Sequence, residues 1–382
     1  MLTRQEIQEK LQAVIDKLIH LGGADYEMDK KTDTKSQYLG LVARDFGFEE
    51  WDWPQGIGLY GLYKVEGLYG DDRYQDFFKE WYGKNFSQGL PSRNVNTTAP
   101  FLTLSFLAGE WGDKRYQEEC RKRAEWVMEL LPKTKENGFQ HVTSAIGDRQ
   151  AVRLNDGELW IDTLVMTVLF LNQMGQSECR SDYREEALHQ FLLHIKYLYH
   201  KESGLFFHGW SFLRNDNFGG VFWCRGNSWF TFGVLEYIEQ CGASMQAGIR
   251  KYLVEVFLAQ IKALLDWQDD SGLWHTVLNE SDSYLEVSGS AAIAAGIYKG
   301  IHMGILPEEY RKFADRAVEA ICENIAEDGT VLNVSAGTAI GMDSDYYKNV
   351  MIKPMAYGQS LVIMALSEAL RQYTEYGKEK VL

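Results

Sequence analysis

The sequence predicts an all-α chain folded as an (α/α)6 barrel, six helical hairpins in a single domain over residues 1–382, with its functional loops at one end. Three observations predict it. Segments apolar nearly all round begin near residues 53, 99, 160, 228, 288 and 357. Each has a one-sided amphipathic partner, as in Tyr183–Tyr199 and Tyr310–Ile325. A glycine turn, Gly70-Asp71-Asp72-Arg73-Tyr74, recurs as Gly112-Asp113-Lys114-Arg115-Tyr116.

An all-round apolar helix must be buried, and a one-sided helix shields it from water. Trp160–Leu171 and Ser288–Ile301 are of the first kind, and six such helices ringed by six outer ones make the barrel. The apolar segment Tyr357–Leu370 takes the N-terminal helix as its partner. A tetratricopeptide-like array would repeat every ~34 residues. The intervals here run from 46 to 69, and no linker or low-complexity stretch interrupts them.

The longer intervals hold loops that echo one another. Glu136-Asn137-Gly138-Phe139-Gln140-His141 is matched by Glu202-Ser203-Gly204-Leu205-Phe206-Phe207-His208 and Asp270-Ser271-Gly272-Leu273-Trp274-His275. All precede inner helices, so His141, His208 and His275 are expected at one mouth, where loops on a rigid scaffold carry function.

Composition narrows the partners. The net charge of −15 argues against nucleic acid, whose binding draws on Lys and Arg. No run of 18 apolar residues suggests a membrane span. The start of the chain mixes Arg4, Glu6, Glu9 and Lys10 into its apolar residues, unlike a signal peptide. Five scattered cysteines form no C-x-x-C pair, and the expected setting is the cytoplasm. Aromatic residues reach 13%, a surplus that suits a large core or sugar-stacking platforms.

Candidate chemistry is sparse and therefore informative. Asp162 lies inside Trp160–Leu171, where an unpaired carboxylate is costly. With Asn155 or Asp156 as N-cap, it falls near the second helical turn. It is either tied to an Arg or to backbone donors, or is an acid whose pKa an aromatic pocket raises. Arg225, between Trp223 and Trp229, suits an anionic ring: a guanidinium forks a carboxylate while indoles stack on the sugar. Gly56-Ile57-Gly58-Leu59-Tyr60-Gly61 matches G-x-G-x-x-G, but no strand precedes it, and the glycines are read as close helix packing. No spacing of ligands implies a metal or cofactor.

Trp53-Pro54-Gln55-Gly56-Ile57, Trp160-Ile161-Asp162, His208-Gly209-Trp210, Trp223-x-Arg225-x-x-x-Trp229 and the late Ser335-Ala336-Gly337-Thr338 with Asp345-Tyr346-Tyr347 together resemble glycoside hydrolase family 105. These are the unsaturated rhamnogalacturonyl hydrolases, relatives of the unsaturated glucuronyl hydrolases. The resemblance runs across nearly the whole chain. It implies a small anionic oligosaccharide ending in a 4,5-unsaturated uronic acid, and a protonated Asp162 that delivers a proton to C4. It also implies that Trp53, Asn96, His141, His208, Trp223, Arg225 and Trp229 bind substrate, with Arg225 on the uronate carboxylate. One departure stands out: the family pattern places a second Asp where this chain has Asn96.

Two other classes fit parts of the pattern. A sugar 2-epimerase on the same barrel would use paired histidines, and a non-catalytic scaffold would show polar mouth loops rather than Trp and His. The sugar beyond the unsaturated residue and the oligomeric state are not legible.

Overall fold

The computed structural model describes residues 2–22, 47–145 and 148–378, with side chains to Tyr373. Residues 1, 23–46, 146–147 and 379–382, which the single-domain reading includes, lie outside the described residues. The inner helices are Trp53–Tyr69, Pro100–Trp111, a π-helical turn Leu164–Val168 running into Leu169–Ser177, Cys224–Cys241, Val287–His302 and Ala356–Lys378. Each packs on the next, and the last closes on the first, which makes the ring. Arg4–Ile19, Gln75–Gln88, Lys114–Glu129, Ser181–Leu198, Ala247–Asp266 and Arg311–Glu323 form the outer layer.

Local chemistry sets the ends of these elements. Asp52 caps the first inner helix by accepting the Trp53 N–H at 2.8 Å, with Pro54 in its first turn. Gly70 and Gly112 end the first two inner helices at φ of 68° and 63°, where a side chain would be strained. The glycine-rich stretch works as the sequence suggested: a Cβ on Gly56 would sit 2.6 Å from the Ala99 carbonyl carbon.

All six inner helices run the same way. Their N-terminal ends meet around one mouth, where Arg225 reaches Ser288 and Trp53 stacks on Tyr357 at 4.4 Å. Their opposite ends meet around a buried charge cluster. Glu236 accepts the Tyr60 hydroxyl at 2.5 Å and the Lys64 ammonium at 3.1 Å, and it also pairs with Lys299. Burial alone would raise the Glu236 pKa, but Lys299 and Lys64 bring it down to about 2. Among the described residues no helix is long and apolar enough to cross a membrane.

Two boundaries differ from the expectation. Glu158–Trp160 is a strand, paired antiparallel with Gly209–Ser211, and the third inner helix starts only after it. The Ile161 N–H bonds the His208 carbonyl at 3.0 Å, so the backbone is committed to the neighbouring loop before the helix can form. Asn155 and Asp156 are accordingly not its cap. The fourth inner helix starts at Cys224 rather than Ser228, which puts Arg225 in its first turn.

Candidate active site

Asp162 sits at the N-terminal end of the third inner helix, not in its second turn. Its carbonyl accepts the Val165 and Met166 N–H groups, and its side chain turns into a cavity of about 240 Å³. Trp53, Asn96, His141, Trp160, Trp223 and Arg225 line the same cavity. The mouth therefore brings together most of the residues singled out by the sequence.

Two histidines frame the acid. His141 is buried, stacks on Trp160 at 4.1 Å and 5°, and faces the Thr163 hydroxyl at 3.2 Å. Burial brings its pKa down to about 3, so it is neutral near pH 7. His208 is also buried and is packed on Trp223 at 4.2 Å. Its Nε2 lies 3.4 Å from Asp162 Oδ2. That approach is too poorly aligned for a hydrogen bond, and both atoms lack another partner. Burial lowers the His208 pKa too.

The charge state of Asp162 reverses the sequence expectation. Burial pushes its carboxyl up, but His208, His141 and Arg225 together outweigh burial and hold it below the usual carboxylate range. At rest Asp162 is an anion rather than a stored acid.

Arg225 also departs from expectation. It is 1% exposed, and its terminal nitrogens are already taken. Nη1 donates to Ser288 Oγ at 3.1 Å and to the Ser335 carbonyl at 3.0 Å, and it pairs with Glu286 at 3.5 Å. Nη2 donates to the Ala336 carbonyl and to Thr338 Oγ1, both at 3.0 Å. The planar fork holds the 335–338 loop against the barrel instead of standing open to a carboxylate. Trp229 is fully buried behind Trp53, edge-on at 6.1 Å, and does not line the cavity. His275 binds the Ser283 carbonyl at 2.5 Å, also away from the cavity.

Three contributors were given no role by the sequence. Asp52 is a second buried carboxylate in the cavity wall, held by Ser144 Oγ at 3.0 Å, which in turn takes the Asn94 amide at 3.0 Å. Its signal was an Asp directly before Trp53-Pro54, a cap position next to a chosen aromatic. The Tyr347 hydroxyl is hydrogen-bonded to His208 Nδ1 at 2.8 Å. Arg153 enters the cavity wall from a hairpin, Val142–Ala145 paired with Asp148–Leu154, whose polar sequence gave no functional signal.

A barrel whose mouth gathers carboxylates, histidines and indoles into a sugar-sized cavity has the make-up of a carbohydrate-active enzyme. The sequence pattern of the family described as Glycosyl Hydrolase Family 88 matches residues 24–373, and the chain belongs to that family. It is 33% identical to the unsaturated rhamnogalacturonyl hydrolase YesR of Bacillus subtilis (strain 168), over 87% of this chain and 93% of that protein. A possible member of the GH105 family from Salmonella enterica is 36% identical, with a TM-score of 0.88 over 98% of this chain and 96% of that one. The unsaturated glucuronyl hydrolase of Bacillus sp. GL1 shares the fold at 16% identity, with a TM-score of 0.67 over 95% of this chain and 96% of that one.

Proposed function

We propose that this hydrolase releases the non-reducing-end 4,5-unsaturated uronic acid from lyase-generated oligosaccharides, of the rhamnogalacturonyl type that pectin degradation leaves. The observation that carries the reading is Asp162: a carboxylate with an unpartnered oxygen, in the wall of a cavity lined by indoles and the neutral imidazole of His141. One carboxyl that can first give and then take a proton is what hydration of a vinyl ether requires.

The C4=C5 bond of such a substrate is conjugated to the uronate carboxylate and attached to the ring oxygen. Protonation at C4 leaves positive charge shared by C5 and that oxygen. Water adds at C5, and Asp162, now a carboxylate, takes the proton the water loses. The hemiketal opens to a ketone at C5, and the exposed hemiacetal at C1 expels the rest of the chain. Ordinary glycosidases instead work at C1 with two carboxylates.

Because Asp162 rests as an anion, its proton must arrive with the substrate. A uronate entering the cavity sets a like charge near Asp162 and displaces water, and both effects raise a carboxyl pKa. Trp53, Trp160 and Trp223 supply ring faces for the sugar, while Asn96 and Asp52 supply hydrogen-bonding groups. His141 and His208 line or buttress the same place, and Arg225 contributes positive potential from within the wall. Trp229 supports Trp53 from behind.

We read the chain as a single domain in a cytoplasmic setting, in keeping with five free cysteines. Incubation with unsaturated disaccharides from several lyases tests the function. Loss of the ultraviolet absorbance of the conjugated bond, with release of the partner sugar, is expected. Isomerised sugar with the chain intact would show an epimerase instead.

A further inference from the structure

Two guanidiniums line the cavity, and they are in opposite states. Arg225 is buried, and both of its terminal nitrogens are engaged with the 335–338 loop. Arg153 is exposed, and among the described residues its side chain makes no hydrogen bond and no ion pair. It is paired across the hairpin with Thr143, and both line the cavity. Residues directly opposite in an antiparallel pair lie on the same face, so the hairpin presents Arg153 and Thr143 to the cavity together.

The acid in this part of the wall is Glu158. It spends Oε2 on the Trp160 indole N–H at 2.7 Å, and it feels Arg153 only at a distance beyond an ion pair. Arg153 is thus an unspent positive charge on the rim of a cavity in a chain of net charge −15. Such a charge focuses anions towards the site.

Position decides which anion. Asp162 is the reacting group and is only 17% exposed, so the unsaturated ring sits deep. That ring is the end of its chain, and the remaining sugars run outward past the exposed part of the wall. We infer that Arg153 forms an outer subsite for a second carboxylate, carried by a uronic acid beyond the bond that is cut. The inference rests on the hydrolase reading above and gives it a preference: longer acidic oligosaccharides over neutral ones.

The test compares two unsaturated oligosaccharides of equal length, one with its second uronic acid intact and one with that carboxyl reduced to the alcohol. Wild type should show a lower KM for the acidic chain, and added salt should narrow the gap. Arg153→Gln should raise KM for the acidic chain by about tenfold and for the reduced chain by less than about twofold, at unchanged Tm. Arg153→Lys should recover part of the preference, since it keeps the charge and loses the fork. Equal KM changes on both chains would overturn the inference and leave Arg153 as a partner for Glu158. Wild type acting on neither chain would instead sink the hydrolase reading, and the subsite with it.

Discussion

His208 Nε2 stands 3.4 Å from Asp162 Oδ2, while the other nitrogen of the same ring accepts the Tyr347 hydroxyl at 2.8 Å. A neutral ring beside the Asp162 anion is favoured with its proton on Nε2 rather than with a lone pair facing the carboxylate. That leaves Nδ1 to accept from the Tyr347 hydroxyl, whose oxygen takes the Gly341 N–H at 3.1 Å. The neutral ring therefore carries its own proton on Nε2, facing the acid. A donor in that place favours the carboxylate form of Asp162. In the proposed mechanism this holds ready the base that hydration needs once the proton has been delivered, with the delivery coupled to binding.

That coupling is measurable. At neutral pH, binding of an unsaturated disaccharide to a slowly turning over variant such as Asn96→Ala should take up about one proton per site. Calorimetry in buffers of different ionisation enthalpy reads the uptake directly. For the same reason kcat/KM of the wild type should fall as pH rises, because the protonated acid becomes harder to populate. Binding without proton uptake, with a pH-independent kcat/KM, would show that Asp162 is not charged by this route.

Tyr347→Phe should free His208 to place its proton on Nδ1, turning an unprotonated Nε2 towards Asp162. Without its donor the carboxylate is less favoured, so the limb on which kcat/KM falls should move to higher pH. A fall in kcat of about tenfold is expected, the scale of losing one hydrogen bond in a coupled network. An unmoved pH profile would reduce Tyr347 to packing.

Arg225→Lys should act through the 335–338 loop. Lysine cannot reproduce the fork across Ser288, Ser335, Ala336 and Thr338, and groups left unpaired in a buried site cost about 1–3 kcal/mol each. The variant should lose Tm, and its activity should fall by the same factor on an unsaturated uronate and on its methyl ester. A loss confined to the free acid, at unchanged Tm, would restore Arg225 to the carboxylate.

At the far end of the barrel, Glu236→Gln should leave Lys299 and Lys64 to share the half-exposed Glu239 alone, and cost less than the about 3–5 kcal/mol of a wholly unpaired buried charge. The folded Glu236 pKa lies below its unfolded value, so the stability it contributes is present above the unfolded pKa of about 4.3. It is lost as pH falls from there towards about 2. Urea unfolding of wild type and variant from pH 7 down to pH 3 should show the two curves converging on the acid side. A constant gap would contradict the assignment.

The helical ring was legible because burial writes itself as periodicity: an inner helix such as Ser288–Ile301 can only be apolar all round. The mouth was legible in part. Asp162 stood out as a carboxylate in an apolar segment, His141 as the end of a repeated loop and Trp53 through the family resemblance, and they do meet in one cavity. What sequence could not carry was partnership across distance. Arg225 meets Ser335 and Ala336 across 110 and 111 residues of chain, and Tyr347 meets His208 across 139. Those contacts turned a presumed ligand fork into a loop anchor and a presumed stored acid into an anion. The strand Glu158–Trp160 was hidden for a related reason. Three residues flanked by a helix pattern read as helix until the pairing with Gly209–Ser211 is seen.

The most direct measurement is turnover of an unsaturated disaccharide by Asp162→Asn, followed as decay of the conjugated double bond's ultraviolet absorbance. The amide is isosteric, so Tm should hold while the proton route is removed. The account predicts a loss of about 10²–10⁴-fold in kcat, the range a general acid–base group supplies. A folded variant that keeps more than about a tenth of the wild-type rate would contradict it, and the proton would have to come from another group in the cavity.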